Sequence, residues 1–561
     1  MLNPWIFGDE YIYISKARNI HQGIDVLADT SLGHKYPPLY SYLLSVVIGS
    51  DPDTTYSRIQ WLNLAIGQVM LAASLFLLNK LFKFTRTKQG RVFLLFCFVM
   101  IALLPAVSGY YLVAMSENLF IPLILLIFSL LVYLEKTQAK SCYYLGVTAA
   151  AFSISLAILT RSAGVTIIPA FLFSAGILSF FKHKHRDSQR WQRVVYDLLL
   201  ILILIAAPYF LVKKLELAIT SHSEFMMGQK TYALSAYTQA LTRILSGKNL
   251  FGLIKIMGNQ LVYLTLSCYF FPILFFINEW LTAVKDRKLT VTLVFLTFFS
   301  AGTYALSVLH SYKGFAANPI KYSTYSRYLD PTVVLFVVFG LIKLWDNVTN
   351  RSNSTPKLKT GSFVVFVLLC TFLALMLPSR DFYITINSLG WGWLDIFQNN
   401  QALIKPVIIG FIALTTWILS RKKHLWPIIL GLIIAANLFF IRVNLNMHQW
   451  LSAVVRDNLE EPLNDIGKGQ DINRFYLTEK TVQEDTLNYA YYIKYRLLFK
   501  NNQFIPAEVI PIQDVSKLLN KTGTSLMVVA RSSEPVDQFG FDQVIPVNDQ
   551  IQFAVKNSAV D

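Results

Sequence analysis

The chain has 561 residues, of which 54% are hydrophobic, 14% aromatic and only 15% charged. Soluble globular proteins carry roughly a quarter charged residues and fewer than half apolar ones. The composition therefore excludes a soluble enzyme, a disordered chain and a disulfide-rich secreted module, and it favours a polytopic membrane protein. The net charge of +17 would indicate nucleic-acid binding in a soluble chain. In a membrane protein it predicts basic cytoplasmic loops instead.

Twelve stretches of the sequence are apolar enough to be membrane spans, each of which needs about 20 residues. Several of them are short, and residues 142–181 can be divided differently, so we expect the count to be correct to within about two helices. In chain order the predicted spans are 61–82, 91–113, 117–134, 142–159, 164–181, 196–212, 259–281, 289–309, 329–345, 361–378, 403–419 and 425–441.

Lysine and arginine are dense in every second connection between these spans and sparse in the others. The positive-inside rule assigns the basic connections to the cytoplasm, so the charge sets orientation and nucleic acid is not expected as a partner. Residues 1–60 and 447–561 then lie outside. Since residues 1–60 contain no signal peptide, we expect one further membrane helix before Met1 and about 13 helices in the complete protein.

The expected fold is thus a polytopic α-helical membrane protein with a small α/β domain at its C-terminus. Residues 1–60 form a first extracytoplasmic loop, in which 11–20 and 39–48 read as amphipathic interfacial helices. Residues 61–446 form the transmembrane helical domain, and residues 447–561 form the extracytoplasmic α/β domain. In the last region, strands are predicted at 474–478, 525–529 and 551–555 and helices at 487–500 and 515–521.

Charged side chains at membrane depth are costly, so those at the mouths of spans are candidate functional groups. The first cluster on the predicted outer side is Gly8-Asp9-Glu10. Adjacent side chains on a helix point about 100° apart, so one carboxylate can face a membrane cavity and act as a general base. The alternative is an acidic first turn that favours the helix dipole.

The second cluster is His34-Lys35-Tyr36-Pro37-Pro38. The two prolines predict an extended turn followed by a helix that begins at Leu39. Lys35 at the membrane surface either binds a lipid phosphate or snorkels to the headgroups. His34 is either a ligand or an ordinary polar loop residue, and the second interpretation is favoured.

Two further clusters lie at the starts of later spans. The short connection before span 117–134 places Glu117 close to the outer face, with an N-terminal capping role as its alternative. Arg327, flanked by tyrosines that include Tyr328, suits a phosphate at headgroup depth, because arginine binds phosphate as a bidentate fork. Its alternative is a snorkelling residue in an aromatic belt, and Arg161 is a weaker case of the same kind.

No nucleotide-binding, metalloprotease or nucleophile-elbow motif is present at a usable place. An ATP-driven pump is therefore not expected, and an enzyme of this type would use a donor that is already activated.

In their order along the chain, these motifs resemble those of lipid-linked glycosyltransferases with the GT-C fold. The branch with the bacterial aminoarabinose transferase and the protein O-mannosyltransferases is the most similar, over about residues 5–345. The matching elements are Gly8-Asp9-Glu10-Tyr11, Lys35-Tyr36-Pro37-Pro38-Leu39-Tyr40, Ser116-Glu117, Thr160-Arg161-Ser162-Ala163-Gly164 and Arg327-Tyr328-Leu329-Asp330-Pro331.

The resemblance implies inverting transfer of a sugar from a polyprenyl-phosphate donor to a glycan, lipid or protein acceptor. The reaction would take place at the outer face of the plasma membrane, among membrane lipids. Asp9 would be the catalytic carboxylate and Glu117 the second acidic residue, while Lys35 and Arg327 would hold the donor phosphate. The remaining candidate substrate-binding residues are Glu10, Tyr36, Arg161 and Tyr328.

No cofactor and no metal ligand is assigned. The acidic pair that precedes the lysine in some family members reads Gly33-His34 here, so a divalent metal ion stays an open alternative.

Two other classes of function remain as alternatives, a secondary transporter and a non-catalytic envelope assembly protein. Transporters usually show internal repeats and broken helices at the midplane, and the sequence shows no repeat and no mid-span acid. An oligosaccharyltransferase of the same fold would carry a Trp-Trp-Asp-Tyr-Gly element, which Trp391-Gly392-Trp393 does not match.

Overall fold

A computed structural model of the chain describes most of its residues, and the text below refers to these alone. Most of the predicted span 361–378 and part of 403–419 lie outside them, as do His34, Lys35 and most of 487–500. The described residues are 6, 8–23, 36–137, 139–182, 190–220, 234–246, 250–286, 289–315, 326–349, 364, 367–368, 371–372, 410, 413–419, 425–466, 472, 474–478, 492–493, 495–496, 499, 507–519, 525–547 and 551–556.

Helices make up most of the described chain. In order they are α1 (Gly8–His21), α2 (Leu39–Ser45), α3 (Pro52–Phe82), α4 (Lys88–Ala102), α5 (Pro105–Ser108), α6 (Glu117–Lys136), α7 (Lys140–Thr160), α8 (Ile167–Lys182), α9 (Arg190–Thr220), α10 (Leu234–Leu245), α11 (Leu250–Ser267), α12 (Phe271–Asp286), α13 (Val291–Phe315), α14 (Asp330–Val348), α15 (Trp426–Ile466) and α16 (Val515–Leu519).

The polytopic membrane architecture is confirmed. Within the described residues, seven helices are long and apolar enough to cross a membrane, or eight if α4 and the bent segment Pro105–Leu112 form one span. The apolar windows of α6 and of Arg327–Val348 are 78% and 89% buried inside the protein. A helix that is apolar all round is stable at the centre of a bundle, so these two helices form the core around which the others pack.

One predicted span is interrupted in the structure. Residues 259–281 were expected to form a single helix, but α11 ends at Ser267 and α12 begins at Phe271, with Tyr269 and Phe270 in the left-handed region at φ 56° and 62°. Non-helical backbone at membrane depth is tolerated only where protein groups satisfy it. Here the Tyr269 carbonyl accepts a hydrogen bond from the Thr416 hydroxyl at 3.0 Å. Mean hydropathy detects the apolar stretch 259–281 but does not reveal the break between Ser267 and Phe271.

The helices of the first loop are present, but α1 is not amphipathic at a surface. Its polar residues Lys16 and Arg18 are buried along with its apolar residues Tyr11 and Ile14. We conclude that protein encloses α1 from Glu10 to Asn19, whereas His21 at its end is exposed. The following helix, α3, begins at Pro52, earlier than the predicted residue 61, because the Asp51 side chain accepts a hydrogen bond from the Thr54 N–H at 2.7 Å and caps it.

The C-terminal region contains a five-stranded sheet with the strand order β2-β1-β3-β5-β4. β1 is parallel to both of its neighbours, whereas β5 is antiparallel to β3 and β4. All three predicted strands are present, within two residues of their expected ends. The strands are β1 (Arg474–Thr478), β2 (Ala507–Ile510), β3 (Leu526–Arg531), β4 (Gln543–Pro546) and β5 (Ile551–Lys556).

One face of this sheet shares a hydrophobic core with the first-loop helices. Alternate strand residues such as Phe475 and Phe553 belong to the same buried cluster as Tyr11, Tyr40 and Tyr56. Alternation places the intervening strand residues on the opposite face, where they form a separate core. The helix α15 runs through residue 447, the expected domain boundary, and ends at Ile466.

Polar contacts join the same two parts of the chain. The Tyr495 hydroxyl donates to the Pro52 carbonyl at 2.5 Å, and Arg496 pairs with Asp53 at 3.0 Å. The Arg18 guanidinium lies 4.3 Å from the centre of the Phe499 ring. The C-terminal region therefore packs directly against α1 and the start of α3.

The close packing of α12 against α14 gives a prediction about stability. A Cβ atom added at Gly340 would lie 2.8 Å from the Cα, Cβ and Cγ atoms of Pro272, closer than real Cβ contacts. We expect Gly340→Ala to lower the free energy of unfolding by about 1–3 kcal/mol through overpacking. The measurement is the thermal unfolding midpoint of the detergent-solubilised protein.

The matched control is Gly431→Ala in α15, where the nearest atom, on Phe96, would be 3.9 Å away. Alanine has the higher helix propensity, so this variant should be at least as stable as the unmodified protein. Equal midpoints for the two variants would contradict close packing at Gly340.

Candidate active site

The predicted site residues lie at the ends of helices. Asp9 is in the first turn of α1, where an acidic side chain complements the helix dipole. Glu117 is the first residue of α6, and Arg161 directly follows the last residue of α7. Arg327 opens a 3-10 turn, Arg327–Leu329, that leads into α14. Residues from four separate helix ends are thereby available to meet at one end of the bundle.

The four residues form one ionic cluster. Arg327 donates from Nη1 to Asp9 Oδ2 at 3.0 Å, and its Nε lies 2.8 Å from Glu117 Oε1. Arg161 Nη1 pairs with the same Glu117 oxygen. Two carboxylates and two guanidinium groups therefore balance each other in charge, which a buried cluster requires.

Access to solvent differs sharply within the cluster. The side chain of Glu117 is 1% exposed and those of Arg161 and Arg327 are 8% exposed, whereas that of Asp9 is 25% exposed. Asp9 is thus the member of the cluster that a second molecule can reach. Glu117 is placed to hold the two arginines.

The two predicted tyrosines lie against this cluster. Tyr36 donates its hydroxyl to Asp9 Oδ1 at 2.6 Å. The Tyr328 ring lies 5.0 Å from the Arg161 guanidinium, a cation–π contact, and its hydroxyl is 3.5 Å from His310 Nδ1.

Glu10, by contrast, faces away from the cluster. It is fully buried, and its Oε1 accepts hydrogen bonds from the Tyr56 hydroxyl at 2.9 Å and the Ala114 N–H at 2.7 Å. These contacts tie α1 to α3 and to the segment before α6. The expected contact of Glu10 with the substrate stays a prediction. Lys35, the eighth predicted residue, lies outside the described residues.

The motif-based prediction missed two residues of α1 that lie close to Asp9. Tyr13 hydrogen-bonds to Ser116, and burial raises its pKa to about 12, so it is a neutral phenol. Lys16 is buried, and its Nζ donates to the Tyr36 carbonyl at 2.9 Å. Their spacing of four and seven residues from Asp9 places all three on one face of the helix, a signal that was present in the sequence.

Asp330 belongs to the Arg327-Tyr328-Leu329-Asp330-Pro331 element but is not one of the candidate site residues. It is fully buried, accepts from the Tyr110 hydroxyl at 2.5 Å, and also accepts from the Tyr263 hydroxyl. Because it lies three residues after Arg327, these bonds hold the turn from which the Arg327 side chain extends.

Among the described residues, no group of three or more His, Cys, Asp or Glu side chains is placed to hold a metal ion. The two carboxylates of the ionic cluster, Asp9 and Glu117, are bridged by the guanidinium of Arg327.

A helical membrane bundle with first-loop helices over one end and a small C-terminal sheet is the architecture that the motifs predicted, and its structural neighbours are polytopic membrane proteins with the GT-C fold. The fold is similar to that of ArnT, an aminoarabinose transferase, from Cupriavidus metallidurans. The ArnT structure bound to undecaprenyl phosphate aligns with a TM-score of 0.53 and 13% sequence identity. The alignment covers 99% of the present chain and 95% of the ArnT chain. The apo structure of ArnT aligns with a TM-score of 0.53 and 14% sequence identity, and the alignment covers 99% of the present chain and 94% of the ArnT chain. No protein-family model and no curated protein matches the sequence.

The ionic cluster gives a second prediction about stability. Glu117→Ala leaves two buried guanidinium groups without their shared carboxylate, and breaking a buried ion pair in this way costs about 3–5 kcal/mol. We expect a large drop in the thermal unfolding midpoint of the solubilised protein, and a smaller drop for Glu117→Gln, which keeps one oxygen acceptor.

The control is Asp514→Ala, which removes an exposed ion pair with Lys517. Exposed pairs contribute little, so the midpoint should not change. If Glu117→Ala were as mild as this control, the cluster would not be holding the helix ends together.

Proposed function

We propose that this protein is a membrane glycosyltransferase that moves a sugar from a polyprenyl-phosphate carrier to an acceptor hydroxyl at the extracytoplasmic face. One observation supports the proposal above the others. The partly exposed carboxylate of Asp9 pairs with the buried guanidinium of Arg327, which shares Glu117 with Arg161, at one end of a bundle whose fold is similar to that of ArnT.

In the proposed reaction, Asp9 is the general base. It accepts the proton of the acceptor hydroxyl, and the acceptor oxygen forms a bond to the anomeric carbon as the bond from that carbon to the carrier phosphate breaks. Attack from the face opposite the phosphate inverts the configuration of the sugar. If the acceptor is instead a phosphate, which is already charged, Asp9 serves only to position it.

Arg161 and Arg327 supply positive charge near the leaving carrier phosphate in this proposal. Negative charge builds on the carrier phosphate as it leaves, and fixed donors in a site with little water stabilise such charge. The planar fork of Arg327 suits phosphate oxygens, and Glu117 sets the spacing between Arg327 and Arg161. Lys35 is proposed as a third cation for the same phosphate.

The proposal predicts that Asp9→Asn abolishes transfer, because an amide cannot accept the proton. Membranes that contain the full-length protein would receive undecaprenyl-phosphate hexose or pentose, radiolabelled in the sugar, and transfer to membrane acceptors would be followed. We expect a loss of at least about a hundredfold.

The matched control is Asp53→Asn, a carboxylate 50% exposed that pairs with Arg496 and touches none of the cluster. It should transfer at the normal rate. Unimpaired transfer by Asp9→Asn would remove Asp9 from the mechanism.

The extracytoplasmic orientation requires its own test. A cysteine at the exposed Gln22, at the end of α1, should react with an impermeant maleimide in right-side-out vesicles, in a background without Cys97, Cys142, Cys268 and Cys370. A cysteine at the exposed Gln89, in the first turn of α4 and beside the basic connection that precedes it, should react only in inverted vesicles, since basic connections face the cytoplasm. The reverse pattern would overturn the proposed orientation.

A further inference from the structure

The Asp9 carboxylate is contacted at both of its oxygen atoms. Arg327 donates to Oδ2 at 3.0 Å and Tyr36 donates to Oδ1 at 2.6 Å. The terminal torsion of an aspartate is broad, with no sharp staggered minima. A single contact therefore leaves the carboxylate free to rotate, and two contacts on opposite oxygens fix its plane.

Tyr36 is itself held from the same helix that carries Asp9. Asp9, Tyr13 and Lys16 are four and three residues apart, which places them on one face of α1. The Tyr36 ring packs against that of Tyr13 at a centroid distance of 5.2 Å, and its carbonyl accepts a hydrogen bond from Lys16 Nζ at 2.9 Å. The residue after Tyr36 is Pro37, which restricts the Tyr36 backbone to extended conformations.

The burial of Lys16 indicates that its hydrogen bond to the Tyr36 carbonyl contributes to the structure. The residue is 4% exposed, and a buried ammonium group is strongly destabilising unless it is hydrogen-bonded. An apolar residue at this position would fill the same space between α1 and its neighbours without that penalty. The ammonium group provides a donor that can hold the backbone of Tyr36 in place.

We propose that Lys16 is a positioning residue for Asp9, which it orients through Tyr36, and that Tyr36 acts on Asp9 rather than on the substrate. This inference rests on the proposed function of Asp9 as the base. The two contacts fix the plane of the Asp9 carboxylate and therefore the directions of its lone pairs, one of which would receive the acceptor proton.

A positioning role and a substrate-binding role predict different kinetics. Misalignment of a base lowers kcat, roughly ten- to a hundredfold for a displacement of about an ångström. Loss of a uniform contact to the substrate raises KM and leaves kcat unchanged. We therefore expect Tyr36→Phe and Lys16→Met each to lower kcat about tenfold or more, with the KM for the donor changed less than about twofold.

The decisive experiment is a double-mutant cycle on the full-length protein in membranes, with the radiolabelled undecaprenyl-phosphate hexose or pentose as donor. If Lys16 acts through Tyr36, the Lys16→Met/Tyr36→Phe double variant should be no slower than the slower single variant. Lys16→Arg, which keeps a cationic donor for the carbonyl, should recover most of kcat.

Matched controls use the same chemical changes elsewhere. They are Lys517→Met, at an exposed lysine of the C-terminal sheet region, and Tyr144→Phe, at a tyrosine 45% exposed near the start of α7. Both should have unchanged kcat. Thermal unfolding midpoints of all variants exclude a loss of folded protein, and Tyr36→Phe removes only one oxygen atom.

Three outcomes would overturn the inference. They are multiplicative losses in the double variant, a raised KM with normal kcat in Tyr36→Phe, or normal kcat in Lys16→Met. The Asp9→Asn variant separates this inference from the proposed function. An inactive Asp9→Asn beside a fully active Lys16→Met rejects the positioning role alone, whereas an active Asp9→Asn rejects Asp9 as the base.

Discussion

The arrangement of helix ends depends on one buried carboxylate. Glu117 begins α6 and is 1% exposed, and such a group is tolerated only when it is paired with cations. Arg161 from the end of α7 and Arg327 from the turn before α14 both reach it. Three helix ends are thereby brought to one point, and Arg327 brings in Asp9 from a fourth helix.

An ionic cluster of this kind is better suited to fixing geometry than to stabilising the fold. Apolar side chains of similar volume often stabilise a protein as well as a buried ion pair does, whereas removal of one partner from such a pair is strongly destabilising. The cluster therefore penalises any arrangement in which α6, α7 and α14 do not meet at Glu117. Within it, only Asp9 keeps substantial access to solvent, so the member that is open to a second molecule is also held in a defined place.

The sequence singled out the residues that the structure brings into one ionic cluster, because a charge at the mouth of an apolar span has few explanations. This reasoning identifies Asp9, Glu117, Arg161 and Arg327. It does not predict the direction in which each side chain points from its helix. Glu10 adjoins Asp9, yet the angle of about 100° between adjacent helix positions turns it toward Tyr56 and Ala114. The break at Tyr269–Phe270 escaped prediction for a related reason, since hydropathy averages over a window and does not register backbone direction.

The burial of α1 from Glu10 to Asn19 explains how residues distant in sequence bear on Asp9. On one side, Glu10 ties the helix to Tyr56, whose ring lies 6.4 Å from that of Tyr495 in the C-terminal region. On the other, Arg327 and Tyr36 hold the Asp9 carboxylate. In its proposed role as the base, Asp9 would benefit from such enclosure, because small displacements of reacting groups have large effects on rate. A first-loop helix lying free at the membrane surface would leave the direction of the carboxylate undefined.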